Sequence, residues 1–346
     1  MLNHLLSGDL PRSRVLAVVL VIILAGLLLT PFIFPGAKAL NVAAKICIFI
    51  VLVASFDLLL GYTGIVSFAH TMFFGIGAFG VAIALTRMGP TWKAVAVGVA
   101  AALVISLVLS LLIGLFSLRV KAMFYAMITL AVASAFQTMA SQFSDITGGE
   151  DGLSFKVPEL LTPGFSLREA PFLGVTLDGK LITFYLLIAV TVVLFLLMLR
   201  IVNSPFGRVL QAIRDAETRV MFCGYSPLGY KLTIWTISAM MCGVAGALYV
   251  PQVGIINPSE MSPANSIEIA IWAAVGGRAT LIGPILGAFI VNGAKSWLTV
   301  AYPEFWLYFL GALFIGVTLF LPSGVVGLIS SLRAKRGNPR SGEVKP

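Results

Sequence analysis

Val15–Phe34 reads VLAVVLVIILAGLLLTPFIF, a run of 20 residues without a charge. Wound as an α-helix at about 1.5 Å per residue, it reaches about 30 Å, the thickness of a bilayer's hydrocarbon core. The preceding MLNHLLSGDLPRSR resembles the start of a signal peptide, but no small-residue cleavage site follows the run. It is therefore expected to remain as a first membrane helix. The same pattern recurs along the chain. Candidate spans fall at 15–34, 41–60, 65–86, 93–117, 122–141, 181–201, 229–250, 266–278, 281–300 and 305–322. The expected fold class is an all-α, polytopic transmembrane bundle of about ten spans. The eighth span is short and interrupted by glycine, which fits a re-entrant segment or a half-helix.

Composition excludes the soluble alternative. Of 346 residues, 59% are hydrophobic and only 11% charged. A soluble domain carries about 25% charged residues, because its surface must be solvated. The net charge of +9 does not mark a nucleic-acid face, since the basic residues sit in short patches between apolar runs. Arg12 and Arg14 precede the first span, and Arg119 and Lys121 follow the fourth. Segment 200–219 holds Arg200, Arg208, Arg214 and Arg219, and the tail holds Arg333, Lys335, Arg336, Arg340 and Lys345. Loop 142–180 is instead rich in acids: Asp145, Glu150, Asp151, Glu159, Glu169 and Asp178. Ten spans put every basic patch and both termini on the cytoplasmic side and the acidic loop outside; only Arg87 and Lys93 fall on the other side. The expected divisions are a cytoplasmic N-terminus (1–14), a transmembrane domain (15–328) and a basic cytoplasmic tail (329–346). Within the domain lie an outer loop (142–180) and a cytoplasmic helix (203–225).

Catalytic chemistry is not expected. No G-x-x-x-x-G-K-[ST] phosphate loop, nucleophile elbow or metal-ligand cluster occurs, and the two histidines are His4 and His70. Cys47, Cys223 and Cys242 are odd in number and form no C-x-x-C pair, so neither a disulfide framework nor a metal site is expected. Any energy for transport must enter on another chain.

Asn203–Tyr225, NSPFGRVLQAIRDAETRVMFCGY, lies between spans yet has helical periodicity. Val209, Ile213, Ala216 and Val220 form one apolar stripe, with Arg208, Arg214, Asp215 and Arg219 off it. Ser204 is placed to cap the N-terminus, Pro205 to open the first turn and Gly224 to end the helix. Two readings stand: the helix lies in the lipid interface, or it docks in a partner's groove.

Several stretches resemble one family. They are GYTGIVSFAHTMFFGIGAFG from Gly61, TGGEDGL from Thr147, SPFGRVLQAIRDAETR from Ser204 and GGRATLIGPILGAF from Gly276. Together they resemble the branched-chain amino acid permease family of bacterial ABC importers, in the subunit type with a large outer loop, a family that also contains urea permeases. PQVGIINPSEMSPANSIE from Pro251 and EFWLYFLGALFIGVTLFLPSGVVGL from Glu304 are closer to the urea members, whereas Phe68–Thr71 reads like the amino acid branch. The resemblance implies an inner-membrane permease that moves a small polar solute, a branched-chain amino acid or urea or a short amide, by alternating access. It also implies four partners: a second permease subunit, two cytoplasmic ATPase subunits that hold the ATP and Mg, and a periplasmic solute-binding protein. No cofactor is implied on this chain. The ATPase-coupling residues it implies are Arg208, Ala212, Arg214, Asp215, Glu217 and Gly224.

The glycine-rich spans offer a translocation path. Gly61, Gly64, Gly75, Gly77 and Gly80 crowd one span, and Gly276, Gly277, Gly283 and Gly287 crowd another with Pro284. Close helix packing is one reading. The other is a pair of broken helices lining a cavity, in the third and eighth positions of a 5+5 inverted repeat. The path candidates are Ser67, His70, Thr71, Gly75, Gly77, Gly277, Gly283 and Asn292. Thr147, Glu150 and Asp151 are candidates for the outer mouth. Lys45, Asp57, Glu268, Arg278 and Lys295 are expected to snorkel or pair at interfaces. The rival function is a self-contained secondary transporter or channel, which would need a coupling acid deep in a span.

Overall fold

The computed structural model describes residues 14–33, 37–120, 122–162, 178–320 and 324–327. The N-terminal segment 1–13, part of the outer loop (163–177) and the tail 328–346 lie outside the described residues.

The chain is a helical bundle. In order come α1 (Arg14–Ile33), α2 (Ala37–Thr63), α3 (His70–Met88), α4 (Trp92–Ser117) and α5 (Ala122–Gln142), then a single turn, α6 (Ser144–Thr147). There follow α7 (Gly179–Val202), α8 (Pro205–Phe222), α9 (Pro227–Val253), α10 (Pro263–Gly276), α11 (Ile282–Ala301) and α12 (Trp306–Phe320). Each of the ten expected spans overlaps one of these helices. Among the described residues six helices are long and apolar enough to cross a membrane: α2, α3, α4, α5, α7 and α9. Shorter apolar stretches occur at Val21–Phe32 and Tyr308–Val317.

Side-chain size, rather than polarity, sorts the faces of these helices. On α4 the buried residues are Ala94, Gly98, Ala102, Ser106, Ser110, Gly114 and Ser117, a stripe of small side chains. Val104, Val108, Leu112 and Phe116 are exposed. A water-soluble helix would invert that arrangement. In lipid no hydrophobic drive separates leucine from its surroundings, so close backbone packing along a small-residue stripe holds helices together. A Cβ on Gly98 would sit 2.6 Å from Val81 Cα of α3. At the crossing of α3 and α9, Gly77 meets the Gly243 carbonyl and Gly246 meets the Phe74 carbonyl. In the α10–α11 hairpin, Gly276, Gly283 and Gly287 touch backbone across the pair. Packing therefore accounts for Gly77, Gly276, Gly283 and Gly287.

Helices α2, α3 and α9 form the centre. Trp235 of α9 is fully buried, donates its Nε1–H to Ser110 O at 2.8 Å, and meets the rings of His70, Phe73 and Tyr125 edge-on.

Two segments depart from regular helix. The expected span 65–86 turns helical only at His70, and 64–69 is irregular chain. Gly64, at φ 73°, ends α2 in a left-handed turn that few side chains tolerate. The second break, 277–281, separates α10 from α11 and holds Ala279 at φ 60°. Beyond α5, the loop adds a two-residue antiparallel pairing, β1 (Leu153–Ser154) with β2 (Ile255–Ile256), in the register Leu153 to Ile256. That pairing seats the start of the outer loop on the end of α9.

One interfacial expectation is corrected. Asp57 is fully buried within the bundle rather than snorkelling, because its carboxylate has a backbone partner on another helix pair. Lys295 and Glu268 take the pairing alternative: they form an ion pair at 2.7 Å between α10 and α11. Lys295 also lies 5.9 Å from the centre of the Trp272 ring.

Candidate functional site

Helix α8 begins where the sequence predicts. Ser204 Oγ accepts from Gly207 N at 3.3 Å and Pro205 opens the first turn. The helix ends at Phe222, and Gly224 takes the left-handed turn beyond it at φ 84°. The buried stripe is Gly207, Leu210, Ile213 and Val220, so it differs from the expected one. Val209 and Ala216 are only half-buried. The helix is also kinked, at Ala216, which leaves helical geometry at φ −158°, ψ 81°.

The outward face carries charge. Arg208, Asp215, Glu217 and Arg219 are exposed, as are Ala212 and Gly224. Glu217 pairs with Lys231 of α9 at 2.6 Å, which ties the second part of α8 to the bundle. Arg214 is different. Its Nε donates to Asp215 Oδ1 at 3.0 Å, and its Nη1 reaches back to the Gly61 carbonyl at 2.6 Å, near the break that follows α2. A further feature escaped the stripe analysis: Met221 is 51% exposed and Phe222 is 92% exposed. An aromatic just past the last stripe residue was the available signal.

The second cluster lies at the start of α3. Ser67, His70 and Thr71 are all buried. Ser238 Oγ donates to the Ser55 carbonyl, so its lone pairs are left for His70 Nε2–H at 2.9 Å. That bond assigns the proton of the neutral ring to Nε2. Cys242 Sγ donates to the His70 carbonyl. Thr71 Oγ1 donates to Ser262 O at 3.0 Å and lies 2.6 Å from Ser266 Oγ, which in turn accepts from Thr71 N. Thr129 Oγ1 accepts from Phe68 N at 3.1 Å, and Ser67 Oγ from Ala69 N at 3.2 Å. Side chains thus satisfy backbone donors where helix is absent, the condition for irregular chain at membrane depth. The partners Ser55, Ser238 and Ser266 were not singled out in the sequence, although each is a polar residue inside an apolar span.

The other path candidates are distributed differently. Gly75 packs against the Met261 side chain, Gly77 on α9, and Gly283 on Gly277. Asn292 is buried on α11; among the described residues its Nδ2 has no partner, and it shares no hydrogen bond with the His70 cluster. Of the outer candidates, Glu150 and Asp151 are exposed. Thr147 is turned inward and braces the end of α5, its hydroxyl meeting Ala140 O and Phe143 O. Nearby, Glu260 accepts from Tyr249 OH at 3.2 Å; burial pushes its carboxyl up, opposed by that bond and by the charges of Lys45 and Lys295.

Comparison with known proteins gives one family. The family model described as "Branched-chain amino acid transport system / permease component" matches residues 38–318. The chain is 26% identical over 317 residues to the high-affinity branched-chain amino acid transport system permease protein LivM of Salmonella typhimurium, across 87% of this chain and 73% of that protein. To LivM of Escherichia coli it is 27% identical over 312 residues, across 86% of this chain and 72% of LivM. The autoinducer 2 import system permease protein LsrC of Yersinia pseudotuberculosis is 27% identical over 161 residues, covering 42% of this chain and 46% of LsrC. No solved structure matches. With 281 of its 346 residues inside the family match, this multi-pass membrane protein belongs to the branched-chain amino acid transport system permease family.

Proposed function

We propose that this chain forms one membrane half of an ATP-driven importer for branched-chain amino acids, with α8 as the docking element for an ATPase subunit on the cytoplasmic side. The observation that carries the proposal is α8 itself. One face is packed on the bundle and held by the Arg214–Gly61 and Glu217–Lys231 bonds. The other presents Arg208, Ala212, Asp215 and Arg219 and ends in exposed Met221 and Phe222. A helix that only rested in lipid would direct its large apolar residues and not its charges outward from the bundle. This one offers both, as a protein groove requires. The nature of the cargo is supported by the two LivM relatives.

The complete assembly then needs a second permease subunit, two ATPases and a solute-binding protein outside an inner membrane, with both chain termini cytoplasmic. The buried serine, threonine and histidine hydrogen bonds around the break at 64–69 supply neutral polar groups that can re-pair during alternating access. Nothing in this scheme changes the solute covalently.

Affinity purification of the chain co-expressed with its importer's ATPase tests the docking. The ATPase is expected to be retained by the native chain and lost with Glu217→Lys or Gly224→Asp, while both variants stay folded. Undiminished retention by both variants would refute α8 as the dock.

A further inference from the structure

Helix α8 and the α10–α11 loop meet at one turn of α2. Asp57, fully buried, accepts the Ala279 N–H on Oδ1 at 3.2 Å. Gly61, one turn later, has no room for a side chain: a Cβ there would lie 2.5 Å from Ala279 N and 2.5 Å from Asp57 Oδ1. The Gly61 carbonyl accepts Arg214 Nη1 from α8 at 2.6 Å, and a Cβ on Gly64 would touch Arg214 Cγ at 3.3 Å. The turn 57–61 is therefore gripped from both sides, by α8 on one and by the α10–α11 loop on the other. That loop holds Ala279 at φ 60°, a conformation an alanine keeps only when its surroundings impose it.

We propose that Asp57 is a positioning residue for transport: through its bond to the Ala279 amide it makes the α10–α11 loop follow α8, which is tied to the same turn by the Arg214–Gly61 bond. The proposal rests on the assignment of α8 as the ATPase dock and adds where its displacement goes. Rigid helix turns joined by short hydrogen bonds transmit a displacement, whereas a loop without a fixed partner absorbs it. The α10–α11 loop joins two helices that contact α2, so moving it shifts packing on that side of the bundle.

Two readouts test this. The first is uptake per ATP hydrolysed by the complete complex in proteoliposomes. Asp57→Ala is expected to lower that ratio at least about tenfold, with ATP hydrolysis within about threefold of native, and Asp57→Asn to restore it to within about twofold, because its amide oxygen accepts the same N–H. The second is amide exchange in the isolated chain. The 277–281 segment is expected to exchange faster in Asp57→Ala and at the native rate in Asp57→Asn. An unchanged ratio in Asp57→Ala overturns the proposal. So does a parallel loss of uptake and hydrolysis, or an Asn variant as defective as Ala. Failure of the α8 assignment would appear instead as undiminished ATPase retention by Glu217→Lys and Gly224→Asp, and the exchange result would stand apart from it.

Discussion

Replacing Phe222 by alanine separates the two fates open to α8. The side chain is 92% exposed, and nothing in the bundle depends on it. Covering a phenylalanine in a protein groove is worth about 1.5–3 kcal/mol relative to leaving it in water. Since about 1.4 kcal/mol is a factor of ten, Phe222→Ala should weaken ATPase binding by about ten- to a hundredfold. The thermal midpoint of the chain should hardly move, because a surface truncation changes stability by less than about 0.5 kcal/mol. Titrating purified ATPase against the chain in nanodiscs measures the first quantity, and a melting curve in the same nanodiscs measures the second. If Phe222 instead rests in the lipid interface, the substitution weakens membrane contact and leaves ATPase affinity alone. An affinity within about twofold of native would refute the docking assignment.

Other consequences follow from the packing. Gly77→Ala drives a methyl into the Gly243 carbonyl, a backbone group that cannot turn aside, so it should cost at least about 1–3 kcal/mol in detergent unfolding. Gly293→Ala, with open space around its Cβ, is the control and should be neutral or stabilising. Ser238→Ala removes the acceptor of His70 Nε2–H and should cost about 1–3 kcal/mol, with Ser238→Thr recovering part. Glu260 has its carboxyl raised by burial, so its protonated form favours the fold. Its contribution is present at low pH and is lost as pH rises through the raised value. Glu260→Gln should therefore stabilise the chain relative to native at pH 8 and change it little at pH 4, as read by melting curves at both values.

Much of this was legible in the sequence. Runs such as Val15–Phe34 and the shortage of charge fix a membrane bundle, because a helix of that length and polarity has no other stable solvent. The α8 cap at Ser204 and the turn at Gly224 were legible because capping is local chemistry. Its buried stripe was legible only in part: Ile213 and Val220 are buried as expected, but Gly207 and Leu210 rather than Val209 complete the face, because the shape of the bundle beneath decides which side is covered. The glycines of α3 and α11 left packing and path both open, and the close contacts of Gly77 with Gly243 O and of Gly283 with Gly277 O, which support packing, were not legible in either stretch alone. Asp57 shows the limit most clearly. Its burial depends on the Ala279 amide, 222 positions away, and no local pattern carries that pairing.

The most direct test of the central claim is leucine uptake by proteoliposomes that contain this chain with the proposed partners: a sister permease, an ATPase pair and a solute-binding protein. Uptake is expected with ATP on the ATPase side, and none with ATP omitted or with the ATPase pair left out. Leucine accumulating at the full rate without the ATPases would contradict the account and make this chain a self-contained transporter.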